Sequence, residues 1–419
     1  MHRNELPTAL YFERIYVVLT AALLLSTVVG DTWVAFNSIC TILLTLTWLV
    51  EGGFRQKWQR LKSVHIVYFV AFFFLLYLTS FLTSANKREA FSMLQREFIL
   101  AFIFFSKKPF SPVQVAGLLK GFVYAALVYM GAALLLATVQ YFRLHDTGVF
   151  IYHALAGQVG STAIFSSMLC VVAVAVLLFL PMSPGRKLLL YICFSIFILL
   201  LASRMFLFIH LVISGVHAFT LLKLRWKLVA VGALVALLLP VALVPNPVRA
   251  RFQDMTRFQA GYLTQKDFNQ GMYFDGLSLR VLYIRYSFEI MQEHHRYLVG
   301  VGSGDAAQLL RDKIRAYHMY DGDGSDGSGG GYLQYSFHDA YLESFVAFGI
   351  IGVVALVLLY GYIGYYGITR KVSLLRDLCI IIVCASFTDV IVINNQCDLA
   401  LVLTICYLGF IYKQDATAV

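Results

Sequence analysis

Apolar runs long enough to cross a lipid bilayer recur along the whole of this chain, and they leave it few folds. Crossing ~30 Å of hydrocarbon takes about twenty apolar residues. In lipid every backbone amide must be satisfied within the protein, so such runs are helices unless they close into a barrel. Twelve can be read, at 11–30, 33–50, 64–82, 92–106, 113–140, 158–181, 187–203, 205–222, 227–245, 343–366, 374–393 and 397–413. The fourth and seventh are short, and the fifth is long enough to tilt or to project beyond the lipid. Hydrophobic residues make up 60% of the chain and charged residues only 13%, far from the soluble average. The expected fold is an all-α polytopic membrane protein of about twelve transmembrane helices.

Lysine and arginine set the expected orientation. With the N-terminus inside, the inner segments hold Arg3 and Arg14; Arg55, Lys57, Arg60 and Lys62; Lys107 and Lys108; Arg186 and Lys187; Lys223, Arg225 and Lys227; Arg370, Lys371 and Arg376; and Lys413. The short outer loops hold only Lys87, Arg88 and Arg143, with Arg204 at a span end. Both termini are expected in the cytoplasm, with the first span uncleaved, and 246–342 outside. The formal charge of +10 is therefore a topology signal and gives no reason to expect a nucleic-acid partner; residues 246–337 balance ten basic residues with ten acidic ones. The seven cysteines all fall in expected spans, so neither a disulfide-braced outer domain nor a zinc site is expected.

Three regions follow: 1–245 with the first nine spans, 246–342 as an outer helical domain, and 343–419 with the last three spans and a short cytoplasmic tail. Pro240, Pro245 and Pro247 end the ninth span. Residues 248–268 read as a helix at the membrane surface, carrying Phe252, Phe258, Tyr262 and Phe268. In 277–297, Leu277, Val281, Ile284, Phe288 and Met291 fall at helical spacing, and Gly300, Gly302 and Gly304 are expected to terminate that helix. A third short helix is expected at 305–319. The run 321–331 reads as a mobile, Gly-rich tether. Its Asp321 and Asp323 could face a metal, but the EF-hand positions fail and so many glycines defeat preorganisation, so no metal site is expected.

The residues with chemistry cluster near the end of that outer region. His338 opens the stretch His338-Asp339-Ala340-Tyr341-Leu342-Glu343-Ser344-Phe345-Val346-Ala347-Phe348-Gly349, where the chain re-enters the membrane. A histidine at such a boundary titrates near neutral pH beside a half-apolar cleft. Arg204 sits in a nearly loopless junction between two spans. It either snorkels to the headgroups or faces the cavity. Arg280 and Arg285 are five residues apart, about 140° around a helix, so one can point into a site and the other away. Asp389 lies near the outer end of the eleventh span, where a carboxylate is functional by default or else pairs with an arginine. Arg96-Glu97 reads as an ion pair bracing the bundle, His294-His295 as solvated, and His145 and His153 as lacking a nameable partner.

The His338 stretch resembles the motif of bacterial O-antigen ligases and related bactoprenol-linked polysaccharide polymerases. The stretch from Arg280 through Gly300, Gly302 and Gly304 is similar to that family's second block, and Ser203-Arg204 to the Ser-Arg that opens one of its spans. The chain departs from the pattern at Ile284, Tyr297 and Asp339, where tryptophan, proline and asparagine are common. The resemblance implies a GT-C-type glycosyltransferase in the bacterial inner membrane, with its site facing the periplasm. The implied donor is undecaprenyl-pyrophosphate-linked O-antigen, the acceptor a lipid A-core sugar, and no cofactor or metal is used. His338 is then the expected base, Arg204 and Arg280 bind pyrophosphate, and Arg285, Asp389 and Tyr341 are secondary candidates. A polymerase and a protein O-oligosaccharyltransferase share these parts. A transporter would use the arginines only to move a lipid pyrophosphate.

Overall fold

The computed structural model describes residues 5–94, 98–221, 249, 260–322, 330–390 and 396–412. Its regular elements are helices, with no strand among the described residues. In chain order they are α1 (Glu5–Val29), α2 (Val34–Glu51), α3 (Phe54–Ser63), α4 (Ile66–Thr83), α5 (Lys87–Ser92), α6 (Phe98–Ser106), α7 (Pro112–Leu144), α8 (Tyr152–Gly157), α9 (Ala163–Phe179), α10 (Pro184–Leu201), α11 (Arg204–Leu221), α12 (Gly276–His294), α13 (Ser303–Ala316), α14 (Ala340–Thr369), α15 (Ser373–Ala385) and α16 (Gln396–Tyr412).

Six of these, α1, α2, α4, α7, α10 and α14, are long and apolar enough to cross a membrane; α9, α11 and α16 are apolar and shorter. Of the expected run at 92–106, the described helix α6 covers Phe98–Ser106, and 95–97 lie outside the described residues. The expected run at 374–393 stops at Ala385, where Ser386, Phe387 and Thr388 form a turn. The run at 227–245 and the pair Arg96-Glu97 lie outside the described residues.

Sequence places α9 at the centre. From Ala163 to Leu177 every residue except Ile164 is buried, as suits a helix that is apolar all round. It packs against α7, α10, α11 and α15. At the periphery, α4 turns Tyr68, Phe72, Leu75 and Leu82 outward and Val70, Phe73, Tyr77 and Ser80 inward, a stripe that lipid accommodates. The length of α7 has a local cause at each end. Ser111 and Gln114 form a capping box with Pro112 at the first turn, and His145 closes the helix in the left-handed region at φ 53°.

One break matters for the site. Gly349 interrupts α14 with φ 69° and ψ −160°. A short helix, 340–348, therefore precedes the membrane-length piece; the residues from Ile350 to Thr369 rise about 30 Å, enough to span by themselves. The His338 motif thus belongs to a separate short helix, where a single continuous span was expected. The groups freed by the break are taken up by 297–302. Ile350 and Ile351 N–H donate to the Tyr297 and Leu298 carbonyls (2.9 and 3.3 Å), and Val301 and Gly302 N–H donate to the Val346 and Ala347 carbonyls (2.9 and 3.0 Å).

The spaced glycines serve this seam. α12 has already ended at His294, capped by His295 at φ 52°, so Gly300, Gly302 and Gly304 do not terminate it. A side chain at Gly300 would collide with the Ala347 backbone, one at Gly302 with Ser84, and one at Gly304 with Asn86. Next to them, both Asp305 carboxylate oxygens accept from the N–H groups of Ala85 and Asn86 at 2.8 Å. Ser303 and Ser80 hydroxyls meet at 2.9 Å. The segment 297–305 is thereby fastened to the end of α4 and the head of α14 at one end of the bundle.

Of the surface helix read at 248–268, residues 248 and 250–259 lie outside the described residues, and 260–268 form a 3-10 turn followed by irregular chain. The Gly-rich run does not link separated bodies: Tyr332 N–H donates to the Tyr320 carbonyl at 2.9 Å, and a side chain at Gly331 would strike that carbonyl and Gly322. Its two ends meet at Tyr320–Gly322 and Gly331–Tyr332; Asp323 and the rest of 323–329 lie outside the described residues.

Candidate functional site

The site is assembled from the ends of elements. At the α10–α11 junction Ala202 takes the left-handed conformation, φ 47°, which turns the chain so sharply that Arg204 opens α11 two residues later. Its charge acts on Asp275 and on Arg280. Asp275 caps α12, accepting from Leu277 and Ser278 N–H at 2.8 and 3.0 Å. Burial pushes the Asp275 carboxyl up, but the Ser278 and Leu277 hydrogen bonds and the Arg204 charge outweigh it and hold it below the usual range.

Arg280, one turn further, is the hub. Nη1 donates to the Gly276 carbonyl and Nη2 to the Thr388 carbonyl, both at 2.8 Å. Its Nε is buried with no hydrogen-bond partner, a donor left over for a ligand. Burial lowers the guanidinium from its ordinary value, while Asp389, Tyr152 and Asp339 raise it and Arg204 lowers it further. These five groups come from five separate stretches of chain, so folding alone makes the cluster.

His338 stands in the left-handed region at φ 51°, a conformation histidine tolerates better than most residues. Its N–H donates to Ser336 Oγ at 3.3 Å. Its ring lies 5.1 Å from that of Tyr335 and 6.4 Å from that of Tyr283, nearly parallel to the latter. Burial lowers the imidazole below its usual value; the Asp389 charge opposes this and the Arg280 charge adds to it. The ring is therefore neutral at neutral pH and able to accept a proton. Asp389 lies in the turn beyond α15, with Oδ1 accepting from Val390 N–H at 2.8 Å. Among the described residues no hydrogen bond joins it to His338, so it acts there as a charge. Asp339 caps the short helix, Oδ1 accepting from Leu342 N–H at 2.9 Å.

Two candidates are held elsewhere. Arg285 is neither in this cluster nor solvated. It pairs with Glu289 at 2.7 Å, donates to the Gln265 carbonyl at 2.6 Å and to the Tyr317 hydroxyl at 3.1 Å, and so braces α12 against the chain before it. Tyr341 donates to the Val383 carbonyl at 3.1 Å and packs its ring against Phe387, pinning the short helix to α15. His294 and His295 are exposed at the α12 terminus, and His153 accepts from Ala163 N–H at 3.3 Å.

Sequence reasoning missed Tyr152 and Asp275. Tyr152 opens α8 at φ 55°, a backbone strain of about 1–3 kcal/mol that persists only where the surroundings impose it; it lies within electrostatic reach of Arg280. Nothing in its neighbourhood of sequence marks it. Asp275 could have been found, since Asp before Gly-Leu-Ser is a helix-start signature. Among the described residues no three His, Cys, Asp or Glu side chains are grouped to hold a metal ion.

An all-helical, polytopic membrane protein with charged groups gathered at one end of its bundle is the class these features define. Residues 188–357, running from α10 into α14 and enclosing Arg204, Arg280 and His338, match the family described as O-Antigen ligase. The similarity to that family covers this stretch, about two fifths of the chain. No curated protein matches the chain.

Proposed function

We propose that this protein is an O-antigen ligase. It transfers polysaccharide from undecaprenyl pyrophosphate to a terminal sugar of lipid A-core, at the periplasmic face of the bacterial inner membrane. The observation that carries the reading is the buried Arg280, held at 2.8 Å on the Thr388 carbonyl beside Asp389 with its Nε left over; the charges of Arg204 and Asp389 act on it, and those of Arg280 and Asp389 act on His338. The lysine and arginine asymmetry of the loops supports placing that end of the bundle outside.

In the reaction the acceptor hydroxyl attacks the anomeric carbon and gives its proton to the neutral imidazole of His338. The bond from that carbon to the pyrophosphate oxygen breaks with its electron pair, releasing undecaprenyl pyrophosphate. Negative charge grows on the departing oxygen, where Arg204 and the spare Nε of Arg280 stabilise it. A single displacement inverts the anomeric centre. The arginine pair supplies the charge that a metal ion supplies elsewhere, so the reaction is metal-independent.

The test is reconstitution of purified protein with lipid-linked glycan and lipid A-core, in excess EDTA, read as a band shift on a gel. A shifted lipid A-core band supports the reading. Elongation of the lipid-linked glycan instead would make the protein a polymerase, and modification of an added pilin-like protein an O-oligosaccharyltransferase. Activity that appears only on restoring magnesium, manganese or calcium would end metal independence.

A further inference from the structure

Tyr335 has no part in the chemistry above, yet its setting is unusual. It is 44% exposed, while the aromatic rings behind it are buried or half-buried. The short turn Gly331–Gln334 delivers it, and its N–H donates to the Tyr332 carbonyl at 3.2 Å. Its ring meets that of Tyr332 at 5.8 Å, and Tyr332 meets Phe274 at 5.7 Å. Phe274 in turn packs on Phe268 at 5.2 Å. Tyr332 is locked further by its hydroxyl, which accepts from Phe274 N–H at 3.0 Å. Tyr335 is thus the open end of a supported aromatic ladder, and its ring centre lies 5.1 Å from that of His338.

A rigid ring with open surface offers an apolar face and a polar tip at little entropic cost. The C–H face of a pyranose is the natural complement to that surface, while its hydroxyls project around the rim. The separation of the two ring centres is comparable with the width of one pyranose. A sugar seated on Tyr335 therefore presents a rim hydroxyl to the imidazole that must take its proton.

We propose that Tyr335 is the platform that binds the acceptor's terminal sugar beside His338. The inference rests on the transfer reaction above and adds the acceptor subsite to it. Donor recognition, at Arg204 and Arg280, is a separate matter.

The experiment varies lipid A-core at saturating donor for the wild type and for Tyr335→Phe, Tyr335→Trp and Tyr335→Ala. Tyr335→Ala is expected to raise the acceptor KM about tenfold, the loss of one aromatic packing partner, with kcat and the donor KM unchanged. Tyr335→Phe should stay near wild type. A fall in kcat at unchanged acceptor KM would mean that the ring only shapes His338, and would overturn the platform. So would damage in Tyr335→Phe equal to that in Tyr335→Ala, or no effect in either. As a second readout, the emission of Tyr335→Trp is followed while lipid A-core is added without donor; the added indole should respond to lipid A-core and not to the lipid-linked glycan alone. A wild-type protein that transfers nothing to lipid A-core refutes the activity. A working enzyme whose Tyr335→Trp emission ignores lipid A-core refutes the platform.

Discussion

Replacing Gly349 by alanine asks whether the splice at the head of α14 holds the site together. The residue has φ 69° and ψ −160°, a region essentially reserved for glycine. Keeping alanine there costs about 1–3 kcal/mol of backbone strain, and the added methyl collides with the Leu298 carbonyl. The chain escapes only by releasing 297–302, which forfeits the four backbone hydrogen bonds across the break at about 0.5–1.5 kcal/mol each. A helix that closes over the gap regains part of this. Either route comes to about 2–4 kcal/mol. Gly361→Ala is the control: it lies on the same helix, and a methyl there meets nothing within 4 Å. Alanine should stabilise that position by about 0.5–1 kcal/mol. Thermal unfolding of both variants in one detergent, followed by loss of helical circular dichroism, is compared with the transfer rate of each. Gly349→Ala should melt well below wild type and transfer poorly, because 297–302 ties the end of α12, which bears Arg280, to the short helix that His338 introduces. If it behaves like Gly361→Ala in both assays, the splice does not position the site.

Three further outcomes are expected. Arg204→Lys and Arg280→Lys keep a charge but lose the planar fork, and each should slow single-turnover transfer by about 30–1000-fold; a near-normal rate in both would remove the leaving-group role. His338→Gln should bind donor and fail to turn over, since glutamine cannot take a proton. In the wild type the rate should fall as pH drops through the lowered imidazole value, and Asp389→Asn, which removes the charge that raises that value, should move the acid limb to lower pH; a limb that stays put rules out the Asp389 interaction. Deleting two or three residues between Gly322 and Gly330 should leave turnover unchanged because Tyr320–Gly322 and Gly331–Tyr332 already meet, whereas Gly331→Ala, at φ 50° and against the Tyr320 carbonyl, should lower the melting temperature; sensitivity to the deletion alone would place the loop in the site.

The helical class and the principal candidates could be read from sequence because each leaves a local trace. Apolar runs of membrane length have few structural alternatives, and an arginine or carboxylate beside one stands out against its neighbours. The five-residue spacing of Arg280 and Arg285 separates them around α12, where they take different partners, the Thr388 carbonyl and Glu289. Other features depend on distant contacts. Gly349 lies in an apolar run where glycine is ordinary, and only the arrival of 297–302 turns it into a break. The same distance hides why Gly300, Gly302 and Gly304 are small. They punctuate the sequence like a helix terminus, while the partners that require them, Ala347, Ser84 and Asn86, are remote in the chain. Tyr152 comes within reach of Arg280 at a strained start of α8 that local propensity would not choose. The end of α15 was read too late, because Val390 and the apolar residues after it prolong the run beyond the turn that stops the helix.

The splice also imposes an order on biosynthesis. The head of α14 carries amides and carbonyls that lipid cannot satisfy, so by itself it is a poor passenger for insertion. Their partners, Tyr297 to Gly302, come earlier in the chain and leave the ribosome first. The nascent protein reaches its broken helix with the repairing segment already made. A circular permutant that moved 260–338 behind α14 would keep every contact of the finished fold and reverse that schedule, delivering the break to the bilayer before anything could close it.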